Sequence, residues 1–156
     1  MAPCFDPAPL AEILARYAPR ETSLIPVLQD VQRAYAYLPC EGLAAVSKTL
    51  GVPLAKVFSV VTFYRAFALQ PQGRTVIKVC TGTACHIRGA DRLLDELERR
   101  LAIAPGQTTP DFGFTLKTVN CVGACALAPV MILGERYVAQ AKTNRLPALL
   151  DEGGHA

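Results

Sequence analysis

The stretch TVIKVCTGTAC, from Thr75 to Cys85, runs from a strand pattern straight into a pair of cysteines. Its first residues are mostly β-branched and follow Gly73, a pattern typical of a β-strand. Phe112 to Val119 is a second strand pattern, and it leads in the same way to the pair Cys121 and Cys125. We therefore expect two glycine-containing loops at strand ends to present four thiols, those of Cys80, Cys85, Cys121 and Cys125, to one small volume.

Four thiolates in one volume are the ligand set of an iron–sulfur cluster, either [2Fe–2S] or [4Fe–4S]. Gly82 and Gly123 would let the backbone approach the inorganic sulfides and donate N–H hydrogen bonds to them. We expect Thr81 and Thr83 to add hydroxyl donors and Ala124 to keep its loop compact. Donors of this kind around a cluster set its reduction potential.

Other uses of these cysteines fit the spacing less well. Structural zinc usually takes cysteine pairs with two residues between them, whereas four residues separate Cys80 from Cys85 and three separate Cys121 from Cys125. Disulfides are rare in a reducing cytoplasm, and the Cys-x-x-Cys pair of thiol–disulfide enzymes is absent. The spacing favours an iron–sulfur cluster and leaves zinc as the main alternative. His86 is an alternative ligand that we expect at the surface or beside the site; Cys4, Cys40 and His155 are expected to have no role.

Composition excludes several other functions. The 156 residues are 51% hydrophobic and 19% charged, with a net charge of +3, which suits a folded protein without a basic surface for nucleic acid. No apolar run approaches the ~20 residues of a membrane span, and the first residues lack a signal-peptide pattern. We expect a soluble cytoplasmic protein that does not insert into a membrane.

The chain changes character near residue 73. Apolar residues recur at helical spacing through residues 7–68, which predicts a helical bundle in a region spanning 1–72. Residues 73–156 follow the order β-α-β-β-α, which predicts helices packed on a small mixed sheet. The fold class is therefore α/β, with an N-terminal helical region for packing and partner docking.

The two cysteine segments, CTGTACHIRG (80–89) and NCVGACALAP (120–129), resemble the thioredoxin-like [2Fe–2S] ferredoxin family. The likeness extends upstream through LGVP (50–53) and VTFY (61–64) and covers about Tyr17 to Leu150. This family includes the small peripheral-arm subunit of NADH:quinone oxidoreductase and related subunits of NAD(P)-linked hydrogenases and formate dehydrogenases. The resemblance implies a thioredoxin-like domain in residues 73–156.

The resemblance also implies a site and partners. One [2Fe–2S] cluster is expected on Cys80, Cys85, Cys121 and Cys125, one cysteine pair per iron, with no catalytic residue on this chain. The implied role is electron transfer beside an FMN-bearing subunit that binds NAD(P) and beside further iron–sulfur subunits. The chain itself has no Gly-x-Gly-x-x-Gly fingerprint. The alternative role is a scaffold, stabilised by zinc or by a cluster without redox function, that braces the flavoprotein.

Overall fold

The computed structural model describes residues 5–154. The chain divides into two compact units, Met1–Pro71 and Gln72–Ala156. The helices are α1 (Ala8–Ala15), α2 (Leu24–Tyr35), α3 (Cys40–Leu50), α4 (Leu54–Phe63), α5 (Thr83–Ile87), α6 (Ala90–Leu101) and α7 (Leu146–Gly154); the strands are β1 (Thr75–Cys80), β2 (Phe114–Val119), β3 (Met131–Leu133) and β4 (Arg136–Val138). The expected α/β class, with helices first and a small sheet after them, is confirmed.

The first unit buries one apolar stripe of each helix in a common core. Val27, Leu28 and Val31 of α2 are fully buried there, at the helical spacing that the sequence predicts. α3 ends at Gly51 with φ +65°, the left-handed position that glycine takes at low cost. The core of this unit thus comes mainly from amphipathic helices, with Leu38 and Val52 added from the connections between them.

Two details of this region differ from expectation. The helical span 7–68 is too long: α4 ends at Phe63, and Tyr64 has extended backbone. The last turn of α4 holds β-branched residues, which are weaker helix formers, and the Thr62 hydroxyl donates back to the Phe58 carbonyl at 2.8 Å. The sequence suggests Thr22 or Ser23 as the cap of α2, but Ser23, at the N-cap position, makes no capping hydrogen bond, and its hydroxyl donates to the Ala18 carbonyl at 2.9 Å.

The second unit is built on a four-stranded sheet in the order β2-β1-β3-β4. β1 pairs with β2 in parallel, with Thr75 opposite Phe114 and Cys80 opposite Val119. β3 pairs with β1, and β4 with β3, in antiparallel fashion. The helix that connects the parallel strands, α6, buries Leu93 in the core of this unit, as its apolar face predicts. Parallel pairing places the carboxyl ends of β1 and β2 at one edge of the sheet.

The remaining sequence predictions hold with shifted boundaries. Gly134, at φ +62°, begins the two-residue turn between β3 and β4, so the expected hairpin is confirmed. β2 starts at Phe114 and not at Phe112, because Phe112 has φ +55° and closes a turn with its N–H on the Thr109 carbonyl at 2.9 Å. α7 extends four residues past the expected end at Leu150. In residues 5–154, no helix is long and apolar enough to cross a membrane.

The ion pairs on α6 differ from those that the sequence suggests. The sequence spacing suggests Asp95 with Arg99 and Glu96 with Arg100, but Glu96 accepts from both arginines, at 2.7 Å from Arg99 Nη2 and 2.6 Å from Arg100 Nε. The expected pairing of Asp95 with Arg99 is therefore wrong. Hydrogen bonds from Arg99, then Arg100, lower the pKa of Glu96 to about 2.

Replacing Glu96 with Gln should destabilise the protein near neutral pH and less in acid. A carboxyl whose pKa is depressed on folding adds stability above its unfolded pKa, and this stability is lost as pH falls through the folded pKa. Urea unfolding measures the free energy of unfolding, and the difference in this free energy between wild type and Glu96→Gln should become smaller from about pH 7 to about pH 3. Glu98→Gln, on the same helix, is the matched control. A difference in free energy of unfolding between wild type and Glu96→Gln that stays constant across this range would contradict the stabilising role of the Glu96 ion pairs.

Candidate metal centre

The two cysteine pairs lie at the same edge of the sheet. Cys80 is the last residue of β1, and Cys121 follows the end of β2 by two residues. Because β1 and β2 are parallel neighbours, both loops leave the sheet side by side. Cys80 and Cys85 are buried, at 2% and 3% exposure, whereas Cys121 and Cys125 are exposed. The site therefore has a protein-covered side and an open side.

The two loops are in direct contact through Gly82. A Cβ atom on Gly82 would lie 2.6 Å from the Asn120 carbonyl oxygen and 3.3 Å from Cys121 Cβ. These distances leave no room for a side chain, so glycine lets the first loop close onto the second. The Thr81 N–H extends the strand pairing with a hydrogen bond of 2.8 Å to the Val119 carbonyl. The close approach is therefore fixed by backbone on both sides.

Each second cysteine is held by a single turn of helix. Cys85 lies in α5, whose first turn begins after Gly82 and is closed by the His86 N–H on the Gly82 carbonyl at 2.9 Å. Cys125 begins a 3-10 turn, Cys125–Leu127. The sequence analysis does not predict α5, because five residues are too few to show a helical period. These turns direct the second thiol of each pair back toward the first.

The four thiols influence one another across the two loops. Cys85 and Cys121 both act on the pKa of Cys80, and Cys121 and Cys80 act on the pKa of Cys125. Within residues 5–154, no three His, Cys, Asp or Glu side chains meet at the spacing that one metal ion needs. Two loops that each supply one cysteine pair suit a group with two metals, each bound by one pair.

Backbone N–H groups donate to the sulfurs. Gly123 donates to Cys121 at 3.4 Å, the N–H groups of Gly82 and Val122 lower the pKa of Cys80, and that of Val130 acts to lower the pKa of Cys85. The donors at Val122 and Val130 are absent from the sequence predictions, because a backbone group has no sequence signature. Such donors stabilise negative charge on sulfur, which suits thiolate ligands.

The pKa values of the thiols show how strongly they interact. Burial raises the pKa of Cys80, but the N–H groups of Gly82 and Val122 with the neighbouring thiols outweigh it, and that pKa lies below its ordinary value. Burial and then the Cys80 charge raise the pKa of Cys85. The hydrogen bond and charge of Cys121 raise the pKa of Cys125. Four thiolates this close repel one another, and bound cationic metal removes that cost.

The residues expected to surround the site are found with different roles. The Thr81 hydroxyl donates to the Val119 carbonyl at 3.2 Å, and its hydrogen bond to the cluster stays a prediction. Thr83 is exposed at the start of α5, and Ala124 is half-buried in the core of the second unit. His86 is exposed and pairs with Asp91, 2.7 Å from Nδ1 to Oδ2, which agrees with the surface role expected for it.

Of the three residues expected to have no role, only Cys40 is among the described residues. Cys40 is exposed at the first position of α3, in the first unit of the chain. Cys4 and His155 lie outside the described residues.

Comparison with known proteins identifies the family of the sequence. The profile of the thioredoxin-like [2Fe–2S] ferredoxin family matches residues 10–153. One subunit of the NADH-quinone oxidoreductase of Rhizobium meliloti (strain 1021) is 41% identical over 137 residues, which cover 88% of this chain and 82% of the relative. The HndA subunit of the NADP-reducing hydrogenase of Solidesulfovibrio fructosivorans is 39% identical over 133 residues, covering 85% and 78%.

A solved structure shares the fold. An NAD+-reducing [NiFe]-hydrogenase in the air-oxidized state superposes with a TM-score of 0.72 at 25% identity, over 85% of this chain. The match covers 23% of that longer chain. Together with the family match over residues 10–153, this superposition confirms the thioredoxin-like fold class that the cysteine segments predict.

Replacing Gly82 with Ala should separate the two loops and reduce the iron bound per chain. The added Cβ meets the Asn120 carbonyl, a backbone atom that moves only with its loop. Gly106→Ala is the matched control, because nothing lies within 4 Å of a Cβ there, its φ of +91° costs backbone strain of roughly 1–2 kcal/mol, and it is in neither cysteine loop. Iron and acid-labile sulfide per chain are the measurements. Equal iron content in the two variants would contradict the close packing of the loops.

Proposed function

This chain belongs to the thioredoxin-like [2Fe–2S] ferredoxin family, and on this basis we propose that Cys80, Cys85, Cys121 and Cys125 are the ligands of its one [2Fe–2S] cluster. Cys80 and Cys85 would bind one iron, and Cys121 and Cys125 the other. When bound, the cluster takes up and releases one electron. The observation that carries the assignment is that the two cysteine loops leave adjacent parallel strands and touch at Gly82.

The residues of this chain provide a suitable environment for such a group. Backbone N–H groups near Cys80, Cys85 and Cys121 stabilise negative charge on the ligands. Unlike an acidic or basic side chain, a backbone amide does not lose its proton as pH changes. The buried thiols of Cys80 and Cys85 lie toward the core, and the exposed thiols of Cys121 and Cys125 lie toward the open side. The open side is the shorter route for an electron to a partner.

The function we propose is electron transfer within a multisubunit oxidoreductase. Relatives of this chain are named as subunits of NADH-quinone oxidoreductase and of an NADP-reducing hydrogenase. The chain has no dinucleotide fingerprint, so NAD(P) and FMN belong on a partner flavoprotein, with further iron–sulfur subunits beyond it. The helical region 1–72 serves packing and docking, residues 73–156 hold the cluster, and this chain supplies no catalytic residue. A cytoplasmic location remains a prediction.

Single replacements of the four cysteines should remove the cluster, while replacement of Cys40 should not. We expect Cys80→Ala, Cys85→Ala, Cys121→Ala and Cys125→Ala each to lose the visible absorption of the cluster and its paramagnetic signal after dithionite reduction, because each removes one ligand. Cys40→Ala is the control, since Cys40 is an exposed thiol of the other unit. Bound zinc in place of iron in the wild type, with no paramagnetic signal, would favour the scaffold alternative.

The isolated full-length chain should accept electrons from dithionite but not from NADH or NADPH. It has no flavin to convert a hydride into single electrons, so nucleotide alone should leave the visible spectrum unchanged. Adding the flavoprotein subunit purified with it should make NADH or NADPH effective. Anaerobic spectrophotometry measures both. Loss of the visible absorption of the cluster on adding NADH or NADPH, with no flavoprotein present, would contradict the proposal that nucleotide oxidation takes place on the partner.

A further inference from the structure

Two lysines lie side by side on the sheet, on the strands that lead to the cysteine loops. Lys78 of β1 is the register partner of Lys117 of β2. Neighbouring strands are about 4.8 Å apart, and side chains at paired positions project from the same face. Residues on either side of Lys78, namely Ile77 and Val79, are fully buried in the core on the opposite face. The two ammonium groups therefore share the face that does not carry the main core.

This pairing is unfavourable for the fold by itself. Like charges directly opposite on a sheet destabilise it. Within residues 5–154 neither lysine has a carboxylate within 4.0 Å. Burial and then the charge of Lys78 lower the pKa of Lys117, and no acidic side chain acts on it. The protein thus keeps two half-buried cations together without a compensating acid on this face.

Their stems lie in an apolar row. Ile132 of β3 is the register partner of Lys78, and Tyr137 of β4 is the partner of Ile132. The row across the sheet is therefore Lys117, Lys78, Ile132 and Tyr137, with Ile132 at 8% exposure. Lysine stems can pack along apolar surface while their ammonium groups stay near its edge. Of the two lysines in this row, only Lys78 has an apolar register partner, Ile132.

The lysines are close to the proposed ligands. Lys78 precedes Cys80 by two residues along β1, so their Cα atoms are about 7 Å apart. The Cα atom of Lys117, one strand over, is about 8 Å from that of Cys80 by the same spacings. Half-buried charges at such neighbouring positions are screened less by solvent and salt than exposed charges.

We propose that Lys78 and Lys117 are positioning charges that raise the reduction potential of the cluster. The inference rests on the proposed cluster on Cys80, Cys85, Cys121 and Cys125. A one-electron reduction adds one negative charge to a site that is already anionic, and neighbouring fixed cations make that addition more favourable. The lysines give up no proton and no electron in this step. The shared anionic neighbour also offsets the repulsion between the two lysine charges.

The test is a redox titration of the full chain with its cluster, monitored by electron paramagnetic resonance. Methionine keeps the apolar stem and removes the charge, so Lys78→Met and Lys117→Met should each shift the midpoint potential to more negative values. The double variant should shift it further than either alone. Lys117→Arg, which retains the charge, should stay close to wild type. The line shape of the signal should be unchanged, because no ligand is altered.

Arg74→Met is the matched control for loss of one positive charge. Arg74 lies just before β1, about 20 Å along the strand from Cys80, is exposed, and has the Asp111 carboxyl near it. Its replacement should leave the midpoint potential at the wild-type value. A shift as large as that of the lysine variants would show a general effect of net charge and overturn the proposal.

The remaining outcomes are distinguishable from failure of the proposed function. If the wild-type chain binds no iron–sulfur cluster, the proposed function fails and this inference fails with it. If the wild type has the cluster and both lysine variants have wild-type potentials, only the inference fails. If the cluster assembles in wild type and Arg74→Met but not in the lysine variants or in Lys117→Arg, the lysines have a structural role and the electrostatic proposal is wrong.

Discussion

Parallel pairing of β1 with β2 is the constraint on which the site depends. It places the end of β1, at Cys80, and the end of β2, two residues before Cys121, at one edge of the sheet. A parallel pair requires a crossover, and α6 provides it while covering the sheet with Leu93. Without this pairing the two cysteine loops would leave the sheet at opposite ends, and four thiols would not meet.

The two loops after β1 and β2 bring the four thiols together at this edge of the sheet. Gly82 removes the side chain that would hold the loops apart, and single turns of helix return Cys85 and Cys125 toward the first cysteine of each pair. Backbone N–H groups then face the sulfurs. Dipoles of the main chain thus stabilise the charge on the ligands, and on the same two strands Lys78 and Lys117 pair with each other, with no carboxylate within 4.0 Å in residues 5–154.

Much of this arrangement is readable from the sequence. The strands before each cysteine pair and the hairpin at Gly134 have clear patterns, because a period of two and a glycine turn are local signals. The short helix α5 and the N–H groups of Val122 and Val130 have none. The pairing of Asp95 with Arg99 was predicted wrongly, since spacing does not rank the neighbouring carboxylates that compete for one arginine.

The most direct test of the central claim is Mössbauer spectroscopy of the ⁵⁷Fe-enriched full chain, combined with iron and sulfide counts. The account predicts about two irons and two sulfides per chain, with spectra of a binuclear thiolate-bound cluster that gains one electron on reduction. It also predicts loss of this spectrum in Cys121→Ala and its retention in Cys40→Ala. A single zinc ion, or about four irons per chain, would contradict the account.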